Sequence, residues 1–192
     1  MVAAIYAVLF YGSAIGMLPG FTLLYLPAIL LGVLPVWFGW PGLVGSMIGA
    51  FIGGLYVEGV PPYAAWVESV TALIIYSLNW VLIPRNAMEG KTKGKLIHLM
   101  IVYAVTLFIG TTYIIWQYVY LFNIGILPFN FLGKFSFTIV LVSTYSLNLV
   151  IQLVACPALL RTVTPKLKSW GVYSGNFAEW RSSRAKIQLK KE

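Results

Sequence analysis

The first 84 residues contain no lysine or arginine, and Glu58 and Glu68 are the only charged side chains among them. A soluble domain draws about 25% of its residues from the charged set, so a stretch this bare cannot coat itself for water. Over all 192 residues only 9% are charged and 60% are hydrophobic, with a mean hydropathy of +0.87. The length holds six spans of about 20 residues with short connections, and leaves no room for a separate soluble catalytic domain. The chain reads as a small polytopic membrane protein in one domain.

Proline, glycine and charge punctuate six apolar runs. Val2–Leu18 ends at Pro19-Gly20, and Phe21–Phe38 ends at Gly39-Trp40-Pro41-Gly42. Leu43–Val57 closes at the turn Glu58-Gly59-Val60-Pro61-Pro62, and Tyr63–Ile83 stops before Pro84-Arg85. After the polar loop Asn86–Lys95, the run Leu96–Phe122 is long enough to tilt. The last spans about Gly133 to Leu160. No basic segment precedes the first run, so it reads as a span and not a cleaved signal. Pro27 and Pro35 predict a kink or break in the second run, whose freed carbonyls then need partners in the protein.

The net charge of +8 is clustered: of 13 basic residues, Arg85, Lys91, Lys93 and Lys95 form one group, the tail from Arg161 to Lys191 another, and Lys134 stands alone. That is a positive-inside distribution, and a basic tail beside anionic lipid is stabilised by the surface potential. It places both termini in the cytoplasm, with an all-α bundle of six transmembrane helices over 1–160 and a basic, aromatic cytoplasmic tail over 161–192. No basic groove with interleaved aromatics exists outside the tail, which argues against nucleic acid.

Gly45, Gly49 and Gly53 recur every four residues, and Ala3 and Ala7 share that spacing with Gly12 and Gly16. Small residues let lipid-embedded helices approach closely, within the bundle or toward a partner. Glu68 is the most informative residue, because a carboxylate within a span needs a cavity or a partner. Thr71, Ile75 and Asn79 follow it on one helical face. Further polar groups gather in the outer halves of the last two spans: Thr112, Tyr113, Trp116, Gln117 and Tyr120, then Lys134, Thr138, Tyr145 and Asn148, with Gln152 deeper. Lys134, Thr138, Leu141, Tyr145, Asn148 and Gln152 share a face by spacing. Rings with a few donors and acceptors suit a small-molecule pocket; an interfacial aromatic belt competes for them, with Trp66 and Tyr120 its first members.

Other chemistry is missing. Gly90-Lys91-Thr92 resembles the end of a phosphate loop, but the glycine needed five residues earlier is Arg85. The single histidine, His98, has no metal-binding companions, the chain has no aspartate, and Cys156 sits in an apolar run as a buried thiol. No Ser-His-acid set can be assembled around Glu68. The reading is not an enzyme, with no cofactor and no metal.

The run from Leu26-Pro27-Ala28 through Gly32, Pro35, Trp37 and Gly39-Trp40-Pro41-Gly42, continued by Gly45, Gly49 and Gly53-Gly54, resembles the second and third spans of the substrate-binding (S) components of energy-coupling factor (ECF) transporters. Ser146–Gln152 and Pro157–Leu160 are similar to that family's last span, and Ala3-x-x-x-Ala7 to its docking motif. The resemblance covers about residues 1–168. It implies a binder of a vitamin or similar micronutrient in a prokaryotic plasma membrane, working with a transmembrane coupling protein and two cytoplasmic ATPases. Its ligand would sit in the outer half, with Glu68, Trp116, Gln117, Tyr145 and Asn148 as pocket residues and Thr71, Tyr113 and Lys134 next; Ala3 and Ala7 would dock on the coupling protein. Glu68 and Lys134 would suit a ligand bearing both charges.

Two other readings stay open. The run from Pro27 through Pro41-Gly42 to Glu68 and Asn79 is also similar to a membrane sensor domain found ahead of bacterial signalling enzymes, although about thirty residues of tail leave no space for an output domain. An accessory subunit of a larger membrane complex would use the small-residue faces and the tail, where Trp170, Tyr173, Phe177 and Trp180 mix with Arg181, Arg184 and Lys186. Such a tail can lie on the membrane surface or on a partner.

Overall fold

The computed structural model describes residues 1–13, 17–18, 21–22, 24–84, 93–127 and 136–189. The protein is a predominantly helical membrane protein: α4 (Trp40–Gly53, continued by a π-helical turn, Gly54–Glu58), α5 (Pro62–Leu82), α6 (Lys93–Asn123) and α7 (Phe137–Ser169) are each long and apolar enough to cross a bilayer. Their limits follow local chemistry. Pro62 opens α5, where a missing N–H costs nothing, and Ile83 is extended because Pro84 follows it. Ser136 caps α7 by accepting a bond from the Ile139 amide at 3.3 Å. That helix runs past the expected end at Leu160 to Ser169, so the boundary drawn at residue 161 falls inside a helix whose last turns expose Arg161, Lys166 and Lys168.

The first two apolar runs differ from expectation. Helix α1 (Val2–Gly12) has 11 residues, a length of about 16 Å against a hydrocarbon core of about 30 Å. An antiparallel pair follows, β1 (Met17–Leu18) with β2 (Phe21–Thr22), Met17 opposite Thr22. The second run is no continuous helix. It forms two short pieces, α2 (Ala28–Leu31) and α3 (Leu34–Phe38), because Pro27 stands before the first and Pro35 in the first turn of the second, each without an amide to donate. Carbonyls of this broken segment accept bonds from side chains of the long helices, that of Pro27 in addition to its bond from the Leu30 amide at 2.8 Å. Tyr76 Oη donates to Pro27 O at 3.3 Å, Cys156 Sγ to Ile29 O at 3.0 Å and Tyr103 Oη to Gly32 O at 3.5 Å.

The glycine stripe of α4 is a seat for α1. A Cβ on Gly45 would lie 2.7 Å from Val2, on Gly49 2.6 Å from Tyr6, and on Gly53 2.3 Å from Phe10. These ordered pairs show that α1 and α4 run in the same direction. Likewise Tyr25, Ile29 and Trp37 meet Asn148, Cys156 and Thr164 in that order, so this segment runs with α7. Helix α5 runs against α4, with Ala65 beside Gly54 and Trp80 beside Trp40. It also opposes α6, with Thr71 bonded to Gln117 and Asn79 to Thr106.

The tail closes one end of the bundle. Ser174 and Gly175 amides donate to Trp37 O at 3.0 Å and Val36 O at 2.9 Å, and Trp80 Nε1 donates to Gly175 O at 2.9 Å. Helix α8 (Phe177–Leu189) starts with a capping box, in which the Glu179 amide donates to Asn176 Oδ1 and the Asn176 amide to Glu179 Oε2. Phe177 and Trp180 then pack on Trp80. The rings offered for a membrane or partner surface are spent partly on the chain itself, while Trp170 stays exposed.

The partition of polarity fits a lipid solvent. Val44, Ile48, Ile74, Ile101, Val150 and Val154 face outward, whereas Glu58, Glu68, Asn79, Asn148 and Gln152 are buried.

Candidate ligand site

At the end of the bundle opposite the tail, α4 widens into the π-helical turn before Gly59, whose φ of 67° is open to glycine at little cost. The extra residue per turn rotates Glu58 inward, where it is 7% exposed, facing Glu68 at 4%. Gly54 makes the approach feasible: a Cβ there would lie 3.0 Å from Glu68 Oε2 and 3.1 Å from Ala65. Between the two carboxylates stands the buried Tyr118 of α6. Its hydroxyl donates toward Glu58 Oε2 at 2.9 Å and lies 3.3 Å from Glu68 Oε2.

Both glutamates line a partly open cavity of about 60 Å³, enough for a few waters or a solute of a few heavy atoms. Tyr25, Thr111, Thr144 and Asn148 supply its other polar walls, and Ile75, Leu107, Gly110 and Ile114 the apolar ones. Asn148 fixes one wall. Its Oδ1 accepts from the Tyr25 amide at 2.7 Å and its Nδ2 donates to Thr144 O at 2.7 Å, while the Tyr25 hydroxyl bonds that of Tyr6. The hydroxyl of Thr144, a residue 5% exposed, has no hydrogen-bond partner.

Of the residues singled out from sequence, Glu68 and Asn148 line this cavity together. Thr71 and Gln117 are buried beside each other, with Thr71 Oγ1 donating to Gln117 Oε1 at 3.3 Å, and Gln117 Nε2 has no partner. The α5 stripe of Glu68, Thr71, Ile75 and Asn79 is buried as one face. Tyr113 and Trp116 are elsewhere. They are 45% and 54% exposed on the outside of α6, where Trp116 stacks on Tyr120. Tyr145 is half-buried, its hydroxyl donating to Ala104 O at 3.3 Å and its ring edge-on to Phe108, and it does not line the cavity. On α7 the buried face runs through Val140, Thr144, Asn148, Gln152 and Cys156, one position away from the Thr138–Tyr145 line. Lys134 and Gly90-Lys91-Thr92 lie outside the described residues, and His98 is exposed. Ala3 and Ala7 are half-buried on α1, beside the face that meets the glycines.

Glu58, Tyr118, Tyr25 and Thr144 were not singled out. A signal existed for Glu58: it and Glu68 are the only carboxylates before residue 89, and a tight turn lies between them. Among the described residues no three His, Cys, Asp or Glu side chains gather where they could hold a metal ion. Comparison of the chain with protein-family models, curated proteins and solved structures gives no match.

Proposed function

We propose that this chain is a membrane-embedded substrate-binding component of an energy-coupling factor type importer, taking a small micronutrient-like molecule into the Glu58–Glu68 cavity. The observation that carries the reading is the cavity itself: a partly open, mostly apolar space into which two buried carboxylates and a few other polar groups are set, between helices whose outer faces are apolar. Such walls set orientation and selectivity for a small ligand. Pockets for drug-sized ligands measure about 300–1,000 Å³, so the 60 Å³ space admits one end of a vitamin-sized molecule unless the helices part.

On this reading the chain crosses the membrane six times. The shared direction of α1 with α4, and of residues 25–37 with α7, supports it, because each such pair needs a return pass between its members. Both termini and the basic loop would then be cytoplasmic in a prokaryotic plasma membrane, and the cavity would open outward. Ala3 and Ala7 would dock on a coupling membrane protein that is served by two cytoplasmic ATPases. The chain itself would bind and not catalyse.

The test is purification from native membranes in mild detergent, with co-purifying proteins identified by mass spectrometry. Two ATPases and a coupling membrane protein in fixed ratio are expected. A stable assembly lacking ATPases would replace the proposal with an accessory-subunit role.

A further inference from the structure

We infer that the cavity selects a ligand by its ammonium group, an inference that rests on the binding reading above and names its substrate class. Two independent features lead there. A carboxylate can accept about four hydrogen bonds, whereas Glu68 has two side-chain neighbours for its oxygens, Glu58, to which it is hydrogen-bonded, and Tyr118 Oη at 3.3 Å. It has acceptor capacity to spare and faces the cavity. On the α7 wall, Thr144 presents a buried hydroxyl without a partner.

A ligand hydroxyl could donate to Glu68 and accept from Thr144, but it brings no positive charge to the two buried carboxylates. A primary ammonium brings that charge and three N–H donors, enough for Glu68, Thr144 and a third acceptor. A carboxylate or phosphate would meet the glutamate oxygens with like charge, and a lone hydroxyl could donate only once. The apolar side chains of the lining, Ile75, Leu107 and Ile114, suit a short alkyl body behind the nitrogen. A bare divalent ion fits less well, since its oxygen ligands must close to about 2.0–2.6 Å, whereas here an open space of about 60 Å³ separates the walls.

The test compares propylammonium, 1-propanol and propionate, three probes of one size and different charge, by calorimetric titration of the full chain in detergent. Propylammonium should bind at least about tenfold more tightly than the other two, a difference of about 1.4 kcal/mol. Glu68→Gln should erase that preference, and Thr144→Val should weaken propylammonium several-fold while the fold stays intact by circular dichroism. Equal or better binding of 1-propanol or propionate would overturn the inference, as would sodium ion displacing propylammonium at equal affinity. Absence of binding by all three would overturn it too. The importer reading fails separately: propylammonium bound through Glu68 in a chain that never assembles with ATPases keeps the ammonium site and removes the transport role.

Discussion

The two ends of the bundle are built on opposite plans. At the tail end, side chains tie the elements together: Trp80 Nε1 with Gly175, Trp37 Nε1 with Thr164 Oγ1 at 3.0 Å, and Asn176 Nδ2 with Ile83 O at 3.1 Å, although Asn79 Nδ2 beside Trp80 has no partner. Large rings fill the space between them. At the cavity end, two carboxylates share one phenol and the Thr144 hydroxyl has none to bond. An end filled with rings and cross-linked by hydrogen bonds favours stability, while an unsatisfied hydroxyl and paired carboxylates around a void leave free energy to be gained by something that binds. The first end holds the helices together and the second is available for function.

Truncation should expose that asymmetry. Trp80→Ala removes a ring 2% exposed together with its bond to Gly175, and is expected to cost about 4 kcal/mol, read as lost resistance to denaturant in detergent. Unchanged resistance would mean that the tail is not docked. Tyr118→Phe strips the shared hydroxyl from two buried carboxylates and should cost about 2 kcal/mol in the same assay; a stabilised variant would show the bridge to be unimportant. Asn176→Ala loses the cap of α8 and the bond to Ile83, an effect of about 1 kcal/mol that limited proteolysis of the tail would report. Smallest is Thr144→Val, which swaps an unpartnered hydroxyl for a methyl: a change within about 0.5 kcal/mol, and in the stabilising direction, is expected. A loss as large as that of Asn176→Ala would place a partner on Thr144 and end the contrast.

Sequence reasoning reached the long helices because proline, glycine and charge mark their ends, and it reached the α5 stripe because Glu68, Thr71 and Asn79 are polar where lipid would reject them. It also anticipated the break at Pro27 and Pro35. The aromatic side chains were harder. Lipid-facing and core-facing positions are both apolar in a membrane, so Tyr113 and Trp116 on the outside of α6 look like Tyr118 on the inside. Glu58 was hidden for another reason. A regular 3.6-residue period leaves it at a turn, and only the π-helical widening brings it inside. The offset of the α7 stripe reflects mixed polarity on two adjacent lines, Thr138–Tyr145 and Thr144–Asn148, between which spacing alone has no preference.

The parallel seating of α1 on the α4 glycines has a consequence for biogenesis. The first helix leaves the ribosome before its seat exists, and at 11 residues it is too short to hold a bilayer-spanning position alone. The side-chain bonds to the carbonyls of Ile29 and Gly32 wait longer still, for Cys156 and Tyr103. Residues 25–37 precede α4 in the chain, yet their bonds to Asn148, Cys156 and Thr164 can form only once α7 has been made.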